Sequence, residues 1–110
     1  MTRGCDILEE LEEVVRERDR LRPRGSYTVE LLEKGVGFVA RKVGEEAVEA
    51  VVAALDETPE RLTEEVADLL YHLTVLLYLR GVSWRKVFEV LDARRRGAQR
   101  GDKDTRGGPG

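Results

Sequence analysis

Lys42-Val43-Gly44-Glu45-Glu46-Ala47-Val48-Glu49, answered further on by Glu64-Glu65-Val66-Ala67-Asp68, puts carboxylates into two segments that otherwise read as core helices. A helix advances about 100° per residue, so Lys42, Glu46 and Glu49 fall within about 40° of a common line. Glu65, Asp68 and His72 do the same. Carboxylates three apart on one helix face repel each other. Neighbouring apolar stripes strengthen that repulsion by desolvation. A solvated face would intersperse Lys and Arg among them, so a cation is expected between the two helices. A hard divalent metal is the natural candidate.

Outward from these clusters the chain reads as helices joined by short breaks. Thr58-Pro59-Glu60 is a strong helix start, with a capping hydroxyl, Pro at the first position and an acid in the first turn. A helix is predicted over 59–80, ended by Gly81. Leu62, Val66, Leu69, Leu70, Leu73, Leu76 and Leu77 make its apolar stripe, with Tyr71, Val75 and Tyr78 on the side away from it. Apolar on nearly every side over 69–79, this helix calls for a second subunit to cover it.

The helix before it is predicted over 36–55, with Val36, Val39, Ala40, Val43, Ala47, Ala50, Val51 and Ala54 facing inward. Gly44 inside it permits close packing or close ligand approach, or is simply tolerated at about 1 kcal/mol relative to Ala. A first helix is predicted over 6–21, with Asp6 and Glu9 as a capping box and Ile7, Leu8, Leu11, Val14 and Val15 inward. A short helix is predicted over 29–34, capped by Ser26 or Thr28 and closed by Gly35. Ser83 caps a last helix over 84–95, with Trp84 as a core or interface anchor. Residues 97–110 are Gly-rich and without periodicity, and are expected to be a disordered tail after one helical domain over 1–96.

Composition bounds the function. At 110 residues the chain holds one domain. Charged residues are 37%, against roughly 25% in an average chain, and the hydrophobics are mainly Leu, Val and Ala. That suits amphipathic helices, and the expected class is an all-α antiparallel helical bundle. A net charge of −3 with interspersed signs gives no support for a nucleic-acid or membrane partner. The single cysteine excludes an intrachain disulfide and a Cys-based metal site. With no leader-like segment and no apolar run of about 20 residues, a cytoplasmic protein is expected.

Set antiparallel, the two acidic helices let Glu46 and Glu49 face Glu65 and Asp68. Four carboxylates supply oxygen ligands for one or two Mg²⁺ or Mn²⁺ ions. Such an ion keeps waters and bridges phosphates, so a phosphate-bearing substrate follows, with Lys42 and nearby arginines as counter-charges. The break Arg22-Pro23-Arg24-Gly25-Ser26-Tyr27-Thr28 is a connector or a phosphate-holding loop. His72 is a hydrogen-bonded core residue or a partner behind the ligands. A ferritin-like di-iron bundle needs Glu-x-x-His motifs that the chain lacks.

These residues resemble a known family. Gly25-Ser26-Tyr27-Thr28, Leu31-Leu32, Gly35, the run Lys42 to Glu49, Glu65-x-x-Asp68-Leu69-Leu70-Tyr71-His72 and Arg80-Gly81 are similar to phosphoribosyl-ATP pyrophosphatases, of the all-α, MazG-like NTP pyrophosphatase superfamily. The resemblance implies a histidine-biosynthesis enzyme hydrolysing 1-(5-phosphoribosyl)-ATP to 1-(5-phosphoribosyl)-AMP and pyrophosphate with Mg²⁺. It implies Glu46, Glu49, Glu65 and Asp68 as metal ligands, and Glu45 as an outer-shell residue or candidate base, beside Glu46 in the catalytic pair. Lys42 would meet the phosphates, and Arg22, Ser26, Tyr27, Thr28 and His72 would border the substrate. It also implies a homodimer or higher assembly. Gly37 and Phe38 depart from the charged residues many relatives carry there, and no fused cyclohydrolase domain is expected. A house-cleaning nucleoside triphosphate pyrophosphatase of the same superfamily and a non-catalytic helical dimerisation module are the rival readings.

Overall fold

The computed structural model describes residues 3–99, which form α1 (Arg3–Leu21), α2 (Tyr27–Lys34), α3 (Val36–Asp56), α4 (Pro59–Leu79) and α5 (Trp84–Gln99). Among the described residues there is no strand, and the class is all-α. No described helix is long and apolar enough to cross a membrane.

Local chemistry sets the helix ends. Ser26 caps α2, its Oγ accepting from the Val29 N–H at 3.2 Å. Gly35 closes α2 at φ 90°, a left-handed conformation that costs glycine little, and its carbonyl starts α3. Thr58 caps α4 by accepting from the Arg61 N–H at 3.1 Å. Only Glu57 and Thr58 separate α3 from α4, which forces them into an antiparallel hairpin. α1 lies along α4, α2 wedges between α1 and the hairpin, and α5 rests on α1.

The core sits at one end of the hairpin. Val15, Leu31, Leu32, Val39 and Val75 are its buried centre, ringed by Phe38, Tyr71, Leu76, Tyr78 and Leu79. Trp84 fixes α5 to this end: its Nε1–H donates to Thr74 Oγ1 at 2.9 Å, and its backbone N–H to Glu12 at 2.9 Å. The other end of the hairpin, from Glu46 to Glu65, has no such cover among the described residues, and the acidic clusters fall there.

Several expectations are corrected. α1 begins at Arg3, so Asp6 lies inside the helix and is not its cap. α5 continues to Gln99, past the expected start of the tail, and the remainder of that tail lies outside the described residues. On α3, Val36, Ala40, Val51 and Ala54 are exposed, while Val39, Glu46 and Ala53 are buried. α3 carries small apolar residues on two sides, and the seven-residue spacing of the buried three selects the side that meets α4. On α4, Val75 is in the core, and much of the expected leucine stripe is only half-buried. Tyr71, Val75 and Tyr78 face α1 and α2, Leu76 and Leu79 edge the core, and the other leucines are left for something else.

Candidate active site

α3 and α4 bring Glu46, Glu49 and Glu65 together, one carboxylate oxygen of each lying within 4.8 Å of the others. Glu46 is 9% exposed and Glu65 4%, and in each Oε1 is buried with no hydrogen-bond partner among the described residues. A buried, unpaired carboxylate oxygen is costly to keep. Two residues that each hold such an oxygen, converging with a third carboxylate, form an all-oxygen donor set that suits a hard divalent ion. The set fits Mg²⁺ or Mn²⁺ and not a thiol-seeking metal.

Electrostatics at Glu65 follow. Its carboxyl is held above the ordinary value near 4.5, first by burial, then by the adjacent Glu49 carboxylate and the charge of Glu46, with Arg61 opposing. A raised acid pKa means the folded chain binds this proton more tightly than the unfolded chain. Stability from this group is therefore full below about 4.5 and falls as pH rises through the raised value. Urea unfolding in EDTA between pH 4 and 8 is expected to show the chain losing stability relative to Glu65→Gln as pH rises. Saturating Mn²⁺ is expected to remove that loss, because a bound ion would favour the ionised carboxylate.

The other expected residues are placed as follows. Asp68 is exposed and lies outside the converged three, one turn along α4 from Glu65. Its backbone carbonyl accepts from His72 Nδ1 at 2.8 Å. Glu45 points outward, 3.7 Å from Arg41 and 3.8 Å from Lys42. Arg22 is spent on Asp19, at 2.6 Å through Nη2, with Glu33 at 3.5 Å. Tyr78 donates to the same Asp19 at 2.6 Å, and these two bonds hold the Asp19 carboxyl below its usual range. Ser26 is spent as a cap, and Thr28 is buried with its hydroxyl 2.5 Å from Tyr71 Oη.

Tyr27 is half-exposed and donates to His72 Nε2 at 3.0 Å. A carbonyl has no proton to give, so in the neutral ring Nδ1 carries the hydrogen toward Asp68 and Nε2 accepts from Tyr27. The rings of Tyr27 and Tyr71 stack at 6.1 Å, and His72 meets both edge-on. This clasp docks the Ser26-Tyr27-Thr28 segment on α4 one turn past Asp68. Tyr27→Phe removes one hydrogen bond, about 1 kcal/mol. It is expected to raise the KM for nucleotide roughly fivefold with little change in kcat, as read from initial rates.

Arg61 and Tyr71 went unassigned by sequence reasoning. Arg61 sits four residues before Glu65, the spacing of an intrahelical ion pair, and that signal was available. Tyr71 stood in the quoted run, but its partner Thr28 is 43 positions away and no periodicity links them.

Comparison with known proteins agrees with this geometry. Residues 8–95 match the family described as phosphoribosyl-ATP pyrophosphohydrolase. A protein of Pyrobaculum arsenaticum named phosphoribosyl-ATP pyrophosphatase is 58% identical over 93 residues, covering 84% of this chain and 99% of the relative. Relatives of the same name from Metallosphaera sedula and Saccharolobus solfataricus are 55% and 50% identical, covering 81% and 83% of this chain and 96% and 97% of their own. With the match spanning every helix that builds the site, the chain belongs to the phosphoribosyl-ATP pyrophosphohydrolase family.

Proposed function

We propose that the chain hydrolyses 1-(5-phosphoribosyl)-ATP to 1-(5-phosphoribosyl)-AMP and pyrophosphate, an early step of L-histidine biosynthesis. Glu46, Glu49 and Glu65 would hold Mg²⁺, or Mn²⁺ in its place, with Asp68 reaching in from the next turn as fourth ligand. The observation that carries this reading is the pair of buried, unpartnered oxygens on Glu46 and Glu65. Bound there, the ion would orient a water, lower its pKa and offset charge on phosphate oxygens.

The chain's own residues supply the rest. Glu45 is not committed to the ion and would take the proton of the attacking water. Lys42, on the same helix face as Glu46 and Glu49, would meet the phosphates. Tyr27, positioned by His72, would close over the nucleotide, while Ser26 and Thr28 shape the segment that carries it. Arg22 would fix that segment through Asp19 and, on release, reach a phosphate. We further propose that the helical domain over 1–96 works as a homodimer in the cytoplasm.

Pyrophosphate release from phosphoribosyl-ATP, compared with deoxynucleoside triphosphates and with EDTA, tests this. Metal-dependent release with phosphoribosyl-ATP as the preferred substrate is expected. A preference for deoxynucleoside triphosphates would make the chain a house-cleaning pyrophosphatase. No metal-dependent release from any nucleotide would leave only a helical dimerisation module.

A further inference from the structure

Among the described residues, Arg61 is the one cation in contact with the converged carboxylates. Its Nη2 bonds Glu65 Oε2, while Nη1 holds Glu64 at 2.8 Å and Nε reaches Glu57 at 3.4 Å. Glu65 therefore has two unlike oxygens. Oε2 is tied to the guanidinium, and Oε1 is buried and free. The guanidinium is about half-exposed and borders a recess of about 270 Å³ with Glu49, Val52, Glu57 and Glu65. Glu57 and Glu64 pin it from the solvent side, so it cannot leave Glu65 without breaking several bonds.

We propose that Arg61 is the resident counter-cation of the ion-free site. It compensates the carboxylates before an ion arrives, turns Glu65 Oε1 inward by holding Oε2, and opposes the incoming divalent charge. The ion's affinity is thus set by a fixed positive charge on the same helix, four residues from the ligand it touches. This rests on the metal reading of Glu46, Glu49 and Glu65.

Two consequences have opposite signs. Without metal, loss of Arg61 leaves like charges uncompensated and lowers thermal stability. With metal, it removes a repulsion, and affinity rises. A unit charge opposing a divalent ion a few ångström away, in a half-solvated setting, changes affinity by about fivefold to tenfold at low salt. Tighter ion binding is not expected if Arg61 only decorates the helix surface, whereas the loss of its three ion pairs lowers stability in either case.

The test titrates Mn²⁺ calorimetrically into the full chain and into R61Q, R61K and R85Q, with melting in EDTA alongside. Gln is a good helix former and Arg61 is on an exposed position, so R61Q keeps the fold. R61Q is expected to bind Mn²⁺ about fivefold to tenfold more tightly and to melt lower in EDTA. R61K keeps the charge and is expected to stay within about twofold of the parent. R85Q makes the same change in net charge far from the site, on α5 beside Glu9, and is expected to leave affinity unchanged. Unchanged or weaker binding by R61Q, or equal tightening by R85Q, overturns the proposal. A parent chain that binds no Mn²⁺ overturns it together with the metal reading, which separates the two failures.

Discussion

Glu46→Gln is expected to lower kcat/KM for phosphoribosyl-ATP about 1000-fold while raising the melting temperature of the metal-free chain by about 4 °C. The two effects have one cause. Glu46 is buried at the centre of α3, and its Oε1 has no partner. In a chain built only to be stable, that position would hold Ala or Leu, like Ala53 one heptad later. The amide keeps the volume, removes a buried charge and relieves repulsion with Glu49 and Glu65, a gain of about 1 kcal/mol. It also removes an anionic ligand, and with it several kcal/mol of charge stabilisation in the reaction. Initial rates at saturating Mg²⁺ and melting in EDTA read the two arms. Activity within a few-fold of the parent would show the site to be misplaced. Glu45→Gln is the companion: it is expected to lose turnover with Mn²⁺ affinity unchanged, since Glu45 lies outside the converged carboxylates.

What could be read in the sequence divides along a physical line. Helix ends at Ser26, Gly35, Thr58-Pro59 and Ser83 depend on bonds spanning a few residues, so local chemistry specifies them. Convergence of Glu46 and Glu49 with Glu65 follows from periodicity plus a two-residue connection, and both are written in the chain. Which side of α3 faces inward was not legible, because Val and Ala occupy two of its sides. The choice is made by α4, which the helix cannot know about locally. The core side of α4 is hidden for the same reason: most of its leucines lie on the other side from Val75, which packs inward. The Tyr27–His72 and Thr28–Tyr71 bonds join positions more than 40 apart, beyond any helical period. Asp68 shares a stripe with Glu65, yet sharing a stripe does not fix where a side chain reaches.

Val51→Asp is expected to raise the dissociation constant of the proposed dimer at least about 1000-fold, because a carboxylate would be buried unpaired at an apolar contact. Val48, Val51, Val52 and Leu55 follow the i, i+3, i+4, i+7 spacing of a helix stripe, and in the single chain they are 62%, 57%, 43% and 77% exposed. A stripe that regular is written for burial, and among the described residues no other helix covers it. The half-buried leucines of α4 lie in the same hairpin and call for the same partner. The stripe also runs into the site. Val48 borders an open recess of about 610 Å³ with Arg41, Gly44, Glu45 and Glu49. A methyl group built at Gly44 would meet nothing within 4 Å, so the space above it is empty in one chain and available to a second. A second copy on α3 would exclude water from Glu45 and Glu49, where desolvation strengthens every charge interaction the reaction uses. Sedimentation of parent and variant should therefore show dimer and monomer, and activity should fall with dissociation although every carboxylate remains. A variant that sediments as the parent dimer, or a monomeric parent with full activity, would remove the stripe from the assembly.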